Sequence, residues 1–287
     1  MKIIFYIFTI YPLRFAFLVL DIVFKAIPLK ILKLVPSFKV TRKNLSIAFT
    51  ELNDRDLDLL AKESYKETLK SFYETLYTWS RSYKKIIYQT KRINNRFLFT
   101  TPKQEDGLII IALHNRSIDF MLRWISSQRP HTSLYKKIKS KLINSFVKKF
   151  REEGHCKMVE TGIGGVKTIF ASLENNQMTC MASDQVPARG LGVYSKFFGH
   201  ECYSFALAPK LAKKSNKQIL LSYLSYEKDI GHIINFKKPS AEIYSDKGVD
   251  IMNLEMEQEI KKSPAEYSWE YKKFRRLSQE PKDIYKT

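Results

Sequence analysis

The sequence predicts an α/β fold with a mixed, mostly parallel central sheet flanked by helices. Short, fully apolar runs, such as residues 108–113 and 178–182, are typical of buried strands. These runs alternate along the chain with longer segments whose apolar residues recur at helical spacing, which indicates a sheet covered by helices. The chain has 287 residues, and 44% of them are hydrophobic. That content supports a sizeable core and excludes wholesale disorder.

The N-terminal segment has a composition of its own. Residues 3–24 are dominated by Ile, Phe, Leu, Val and Tyr, with interruptions at Pro12, Arg14 and Asp21. The length is close to the ~20 residues that a spanning helix needs, but an arginine at the centre of a span costs about 2.5–3.5 kcal/mol. We therefore expect a hydrophobic membrane-anchor helix. A tilted or in-plane anchor is favoured over a single span, and a cleaved signal peptide is the least favoured alternative.

The basic flank of this segment supports anchoring. Six lysines and arginines follow the apolar stretch, and no acidic residue lies between Lys25 and Glu51. Basic residues beside an apolar segment stay on the cytoplasmic side and meet anionic headgroups there. Because Pro36 breaks a continuous extension, we expect an anchor with its flank over 1–36 and a catalytic domain over 37–287.

The remaining elements follow from periodicity and from capping and turn residues. The helices expected in chain order are 53–79, 117–126, 133–150, a helix that follows a turn at 162–165 and ends near residue 173, 203–213 and 250–262. The strands expected are 108–113, 158–159, 178–182, 218–226 and 232–236.

Charge narrows the class of partner. The net charge is +20 and the pI is near 9.7, which favours nucleic acid, anionic lipid or an acidic protein. The apolar N-terminus shifts that choice toward a membrane surface. The three cysteines are scattered without a CxxC pair, so neither a zinc site nor a disulfide framework is indicated. We expect no metal and a reducing compartment.

The candidate site begins where the first apolar run ends. His114 follows the run at 108–113, and Asp119 lies five residues later, in the first turn of the next predicted helix. Function in open α/β sheets lies at the carboxyl ends of strands. A histidine there beside a carboxylate is a plausible general base with its orienting partner. The alternative is a surface histidine and a helix-capping aspartate.

Two further candidates lie downstream. Arg151 closes a run of seven lysines and arginines that begins at Lys136 and contains no acid. The run is either a solvated face or a docking surface for an acidic carrier or phosphates, with Arg151 pointing inward. Asp184 follows the apolar run at 178–182. If the two apolar strands are neighbours, Asp184 and His114 open on the same sheet edge; otherwise Asp184 belongs to a simple turn.

These segments, in their order and spacing, resemble the late lauroyl/myristoyl acyltransferases of lipid A biosynthesis, within the lysophospholipid acyltransferase group. The resemblance covers nearly the whole chain. It begins with the apolar anchor and residues 42–49, and continues with the His-x4-acid box at 114–119. The segments at 184–199 and 264–276 are similar to the family's Asp-Gln…Phe-Phe-Gly motif and its Pro-x-x-Tyr-x-Trp…Arg-Arg terminus.

The resemblance implies a glycerol-phosphate-acyltransferase-like fold and transfer of a fatty acyl group from acyl carrier protein to a hydroxyl of a lipid A precursor. His114 is then the general base and Asp119 its partner, where the family usually carries glutamate. Arg151 and Asp184 match the family's active-site arginine and later aspartate. No cofactor is implied, because the acyl thioester is already activated.

The resemblance also implies partners and a location. The partners are acyl carrier protein, an anionic glycolipid or phospholipid acceptor and a membrane surface, with no nucleic acid. The location is the cytoplasmic face of the bacterial inner membrane. Two alternatives stay open: an acyltransferase for another lipid acceptor such as a lysophospholipid, and a non-catalytic basic membrane-bound scaffold.

Overall fold

The fold, seen in a computed structural model, is built on a mixed sheet. The structure describes residues 1–103, 106–279 and 284–285. Within them, seven strands form the sheet in the order β1-β9-β8-β2-β5-β3-β4. The strands of this sheet are β1 (Thr90–Asn94), β2 (Leu108–Ala112), β3 (His131–Tyr135), β4 (Cys156–Glu160), β5 (Met178–Ala182), β8 (Gln218–Glu227) and β9 (Gly231–Lys237), while β6 (Gly192–Phe197) and β7 (His200–Phe205) form a separate hairpin. Only the β8–β9 pairing in the sheet is antiparallel, which confirms the predicted mixed, mostly parallel sheet.

Helices surround this sheet. In chain order they are α1 (Lys2–Phe8), α2 (Leu13–Ala26), α3 (Leu29–Leu32), α4 (Pro36–Ala48), α5 (Asp54–Ser80), α6 (Tyr83–Gln89), α7 (Arg96–Thr100), α8 (Ile118–Gln128), α9 (Lys141–Glu152), α10 (Ile163–Glu174), α11 (Leu207–Ser215) and α12 (Gly248–Lys262). The predicted long helix is confirmed as α5, which Asn53 caps by accepting a hydrogen bond from the Asp56 amide at 3.0 Å.

The central strand β2 explains why helices cover both faces. Successive side chains of a strand point to opposite faces of its sheet. Leu108 and Ile110 join the core that contains Phe120 of α8, and Ile109 and Ile111 join the core that also contains residues of α10, α11 and α12. The strand is therefore buried on both sides, as its uninterrupted apolar run predicts.

Two predicted helices were wrong over part of their length. Residues 131–135 form β3 between β5 and β4, because their backbone completes both ladders. The helix predicted over 133–150 begins instead at Lys141, where Ser140 accepts a hydrogen bond from the Ile143 amide. The helix predicted over 203–213 begins at Leu207 and the preceding residues belong to the β6–β7 hairpin. Phe198 and Gly199 turn that hairpin with φ of 49° and 76°, the positive values that a tight two-residue turn requires.

The N-terminal segment forms two helices in place of the predicted single anchor helix. The axes of α1 and α2 differ by 52°, and the break lies at Pro12. Within the described residues, no single helix is long and apolar enough to cross a membrane, but this bent pair has the length and composition to do so. The pair exposes a set of large apolar side chains, namely Ile3, Ile4, Tyr6, Ile7, Phe8, Phe15, Leu18, Val19, Ile22 and Val23.

Candidate active site

Strand register brings two of the predicted site residues together. The parallel strands β2 and β5 pair so that Ala112 lies opposite Ala182. His114 and Asp184 each follow their strand by two residues, so both side chains emerge at the same point of the sheet edge. The expectation that the two sites open on one edge is confirmed.

Asp184 holds the His114 ring in one orientation. The imidazole Nδ1 lies 2.7 Å from Asp184 Oδ1, and the His114 backbone N–H donates to Asp184 Oδ2 at 3.0 Å. An ionised carboxylate only accepts hydrogen bonds, so Nδ1 carries a proton. In the neutral ring, Nε2 then carries the lone pair. Nε2 lies 3.2 Å from Nε2 of Gln185, whose amide can donate to it.

The pair is arranged so that the histidine gains basicity. Burial by itself lowers the pKa of His114, but the charge of Asp184 and its hydrogen bond outweigh burial and raise that pKa above 6.5. Burial by itself raises the pKa of Asp184, and the His114 ring together with the His114 amide lowers it. Asp184 is therefore ionised at neutral pH, and His114 is a stronger base than a free imidazole.

In place of the predicted pair of His114 with Asp119, the structure pairs Asp119 with Arg151. Asp119 lies in the first turn of α8 and Arg151 in the last turn of α9. Arg151 donates from Nε to Asp119 Oδ1 at 2.6 Å and from Nη2 to Oδ2 at 3.0 Å. This two-point ion pair fixes the guanidinium plane. The correction has a physical reason: a carboxylate on the helix is turned toward α9, whereas the neighbouring strand supplies the partner of the ring.

Residues 264–279, called the C-terminal segment below, form hydrogen bonds to the backbone around His114 and Asp184. The Ser268 amide donates to the His114 carbonyl at 3.0 Å, and the Arg116 amide donates to the Glu266 carbonyl at 3.0 Å. The fully buried ammonium of Lys273 donates to the Asp184 carbonyl at 2.7 Å. Sequence reasoning missed Lys273, although its position within the family-like terminus was the available signal.

A cavity of about 610 Å³ opens at this sheet edge. His114, Gln185 and Arg151 lie on its wall. Its apolar lining comprises Ala112, Ile118, Leu122, Leu134, Met181, Ala182, Val186, Pro187, Ala188 and Phe205. Such a lining suits a ligand that has an apolar part and a polar end.

Cys180 also lines the cavity but is not equipped as a nucleophile. Burial raises its pKa to about 12, so the thiol stays protonated near neutral pH. Among the described residues, no group of three or more His, Cys, Asp or Glu side chains is arranged to hold a metal ion. On the cavity wall, the geometry of His114 suits a base, and the Arg151 guanidinium can stabilise a negative charge.

A second histidine–carboxylate pair lies outside this cavity, between β9 and α5. His232 Nε2 is 2.8 Å from Glu74 Oε1. Arg116 donates to the same oxygen from Nε at 2.8 Å and from Nη2 at 2.6 Å, and it also contacts Glu67 and Glu266. These charges tie α5 to the loop after β2 and to the C-terminal segment.

Comparison with known proteins gives a family and two relatives. The family model described as bacterial lipid A biosynthesis acyltransferase matches residues 6–276. The chain is 20% identical over 242 residues to a lipid A biosynthesis palmitoleoyltransferase of Escherichia coli (strain K12), covering 82% of this chain and 78% of the relative. A lipid A biosynthesis acyltransferase of Shigella flexneri matches with the same identity and coverage.

Proposed function

The chain belongs to the bacterial lipid A biosynthesis acyltransferase family, and we propose that it moves a fatty acyl group from acyl carrier protein to a hydroxyl of a lipid A precursor. Membership makes it an O-acyltransferase of lipid A synthesis. The observation that carries the mechanism is the His114–Asp184 pair, which lies on the wall of a cavity lined by both apolar and polar side chains.

His114 is the general base in this proposal. Its Nε2 accepts the proton of the acceptor hydroxyl while the hydroxyl oxygen attacks the thioester carbonyl. The carbon–sulfur bond then breaks, and the leaving thiolate takes the proton back from Nε2. Asp184 keeps the proton on Nδ1 and stabilises the imidazolium that forms between the two transfers. Gln185 yields its place beside Nε2 to the acceptor hydroxyl.

Arg151 is the electrophilic partner in this proposal. Its Nε and Nη2 are engaged by Asp119, so Nη1 is the nitrogen available to the oxygen of the thioester carbonyl. That oxygen becomes negatively charged in the tetrahedral intermediate, and a fixed cation stabilises it there more than in the ground state. Asp119 acts by positioning Arg151, not by orienting the histidine.

Membrane attachment is the second part of the proposal. The apolar side chains that α1 and α2 expose, followed by the basic flank, form an anchor within residues 1–36 on the cytoplasmic face of the bacterial inner membrane. A charge of +20 would speed the encounter with an acidic carrier protein and with an anionic glycolipid or phospholipid acceptor. Nothing in the proposal calls for nucleic acid, a cofactor or a metal.

The exposed face of α1 allows the anchor to be tested. Replacing Ile7 and Phe8 by aspartate removes two exposed apolar side chains, which are 64% and 69% accessible. We expect this variant to lose sedimentation with vesicles that contain anionic lipid while the fold, judged by circular dichroism, is kept. Undiminished sedimentation would place the attachment elsewhere.

The transfer reaction is tested with purified protein, acyl carrier protein thioesters of several chain lengths and a lipid A precursor. We expect His114→Ala to lower the transfer rate by at least about 100-fold. Arg55→Gln, a change at an exposed residue outside the cavity wall, is the control. A lysophospholipid acceptor in a parallel arm separates the alternative acceptor class, and undiminished transfer by His114→Ala would overturn the mechanism.

A further inference from the structure

The rim of the cavity carries an excess of positive charge. Lys136 and Lys137 follow β3, and Arg275 and Arg276 come from the C-terminal segment; all four line the same opening. Glu160 is the carboxylate on that lining, and it lies 3.4 Å from Lys137. Within the described residues, the other three rim cations, Lys136, Arg275 and Arg276, have no carboxylate partner.

The two arginines are held in place by neutral acceptors. Arg275 donates from Nη2 to the Tyr271 hydroxyl at 2.8 Å, and its guanidinium lies 4.9 Å from the centre of that ring. Arg276 donates from Nη1 to the Pro187 carbonyl at 3.2 Å and lies 5.6 Å from the centre of the Tyr203 ring. Because a guanidinium has five N–H donors, these bonds orient each group and leave donors for a ligand.

Both arginines are attached to the segment that leads out of the active site. The carbonyls of Val186 and Pro187 accept their hydrogen bonds, and this segment begins directly after Asp184 and Gln185. A ligand held by Arg275 and Arg276 is therefore close to the base. Arg151 differs from them, because it is held in a two-point ion pair with Asp119.

We propose that Arg275 and Arg276, with Lys136 on the same cavity lining, form a binding site for a phosphate ester that positions a substrate of the transfer reaction. The identity of that substrate rests on the proposed function. Guanidinium forks match the geometry of phosphate oxygens in a two-point contact, and a cluster of preoriented cations favours an anionic phosphate ester. Two sources offer this chemistry: a phosphate group on the lipid acceptor and the phosphodiester of the carrier's prosthetic arm.

Steady-state kinetics separate the two sources. We compare Arg275→Gln, Arg276→Gln and the control Arg55→Gln with the unchanged enzyme, using phosphorylated and dephosphorylated acceptors. In other arms the donor is the carrier thioester or a simple acyl thioester without phosphate. We expect the cavity variants to raise KM for one phosphorylated substrate by about 10- to 100-fold, with kcat nearly unchanged. The same variants should show no further loss when that phosphate is absent.

A binding measurement keeps the site testable even if transfer fails. A fluorescent phosphorylated glycolipid in neutral detergent micelles is titrated with each protein, and inorganic phosphate competes. If the unchanged protein transfers nothing but binds the probe in a manner that Arg276→Gln abolishes, the proposed function is wrong and the site stands. If both arginine variants bind and turn over like Arg55→Gln, the site is wrong.

A merely structural role for the arginines would give a different pattern. Loss of support for the Val186 segment would disturb His114, lower kcat and shift the pH profile with every substrate. Rescue of KM by Arg276→Lys, with the unfolding midpoint and the pH profile unchanged, supports the phosphate site. A kcat loss that does not depend on the substrate's phosphate contradicts it.

Discussion

Two histidine–carboxylate pairs in the described part of the chain have almost the same geometry and very different surroundings. The ring nitrogen to oxygen distance is 2.7 Å for His114–Asp184 and 2.8 Å for His232–Glu74. The His114 side chain is 21% exposed and lines the cavity, whereas the His232 side chain is 2% exposed and stacks on Phe120 at 4.4 Å between ring centres.

The charge around each pair differs as well. Burial and the Arg116 charge lower the pKa of His232. The carboxylate of Glu74 raises it, but not enough to offset them. Burial opposes the ionisation of Glu74, but Arg116 and His232 outweigh it and lower the pKa of Glu74 to about 2. His232 is therefore neutral, and the charge of Glu74 is paired with that of Arg116.

The comparison shows that a short histidine–carboxylate distance does not define a catalytic pair. The second ring nitrogen must be accessible to a substrate, and the carboxylate must not be committed to another cation. His114 meets both conditions. His232 meets neither, and its pair with Glu74 is a structural contact between α5 and β9.

The largest effect should separate the two histidines. His114→Gln removes the proposed general base, and we expect transfer to fall by about 100- to 10,000-fold with little change in folding. His232→Gln should leave the turnover of the folded protein unchanged and lower its thermal unfolding midpoint. Equal losses of turnover in the two variants would contradict the distinction drawn here.

Substitution of Glu74 should affect stability, whereas substitution of Asp184 should mainly affect activity. Glu74→Gln leaves Arg116 and its buried surroundings short of a charge, and we expect a loss of about 3–5 kcal/mol in the free energy of unfolding. Urea denaturation measures it. Glu227→Gln, which breaks the largely exposed pair with Arg92, is the control and should cost under about 1 kcal/mol.

Asp184→Asn should reduce transfer severely while changing stability much less than Glu74→Gln. The amide can no longer hold the proton on Nδ1 by an ionic contact, and the ring loses the tautomer that exposes a basic Nε2. Single-turnover rates and urea midpoints, measured on the same preparations, distinguish the two classes of defect. A stability loss in Asp184→Asn as large as that in Glu74→Gln would place both pairs in one structural class.

How much of this site could be read from the sequence follows from the same comparison. The apolar runs at 108–113 and 178–182 were recognisable as strands, because burial on both faces leaves an uninterrupted aliphatic pattern. His114 and Asp184 were recognisable as residues at strand ends. The carboxylate that contacts the His114 ring could not be predicted, because that contact depends on the adjacency and register of β2 and β5.

The sequence also failed to predict β3 and the role of Lys273, because both depend on contacts between distant parts of the chain. β3 carries the polar sequence His131–Tyr135, and its pairing with two neighbouring strands overrides the weak local signal. The buried Lys273 acts on a carbonyl 89 positions earlier. Local pattern predicts which elements exist, but contacts at this sequence separation are set by the packed fold.

A smaller loss of transfer is expected when the ion pair between Asp119 and Arg151 is weakened. Asp119→Asn keeps the size of the side chain but weakens the ion pair that fixes the guanidinium plane. We expect transfer to fall by about 10- to 100-fold, less than for Asp184→Asn, because Arg151, the proposed partner of the oxyanion, is displaced but not removed. If Asp119→Asn and Asp184→Asn had equal rates and equal pH profiles, Asp119 would act on the histidine after all.

The mildest test uses pH. Only the neutral His114 ring can accept a proton, so kcat/KM should fall as the pH drops through the pKa of His114, which Asp184 and Glu270 raise above 6.5 against burial and the Arg151 charge. The profile of His232→Gln should follow the same curve, because that ring is already neutral in the fold. In Asp184→Asn the acid limb of the residual activity should move to lower pH, since the carboxylate that favours the protonated ring is lost. Rates across pH 5–9 at constant ionic strength measure these shifts, and an acid limb that moves with His232→Gln instead would reassign the titrating group to the buried pair.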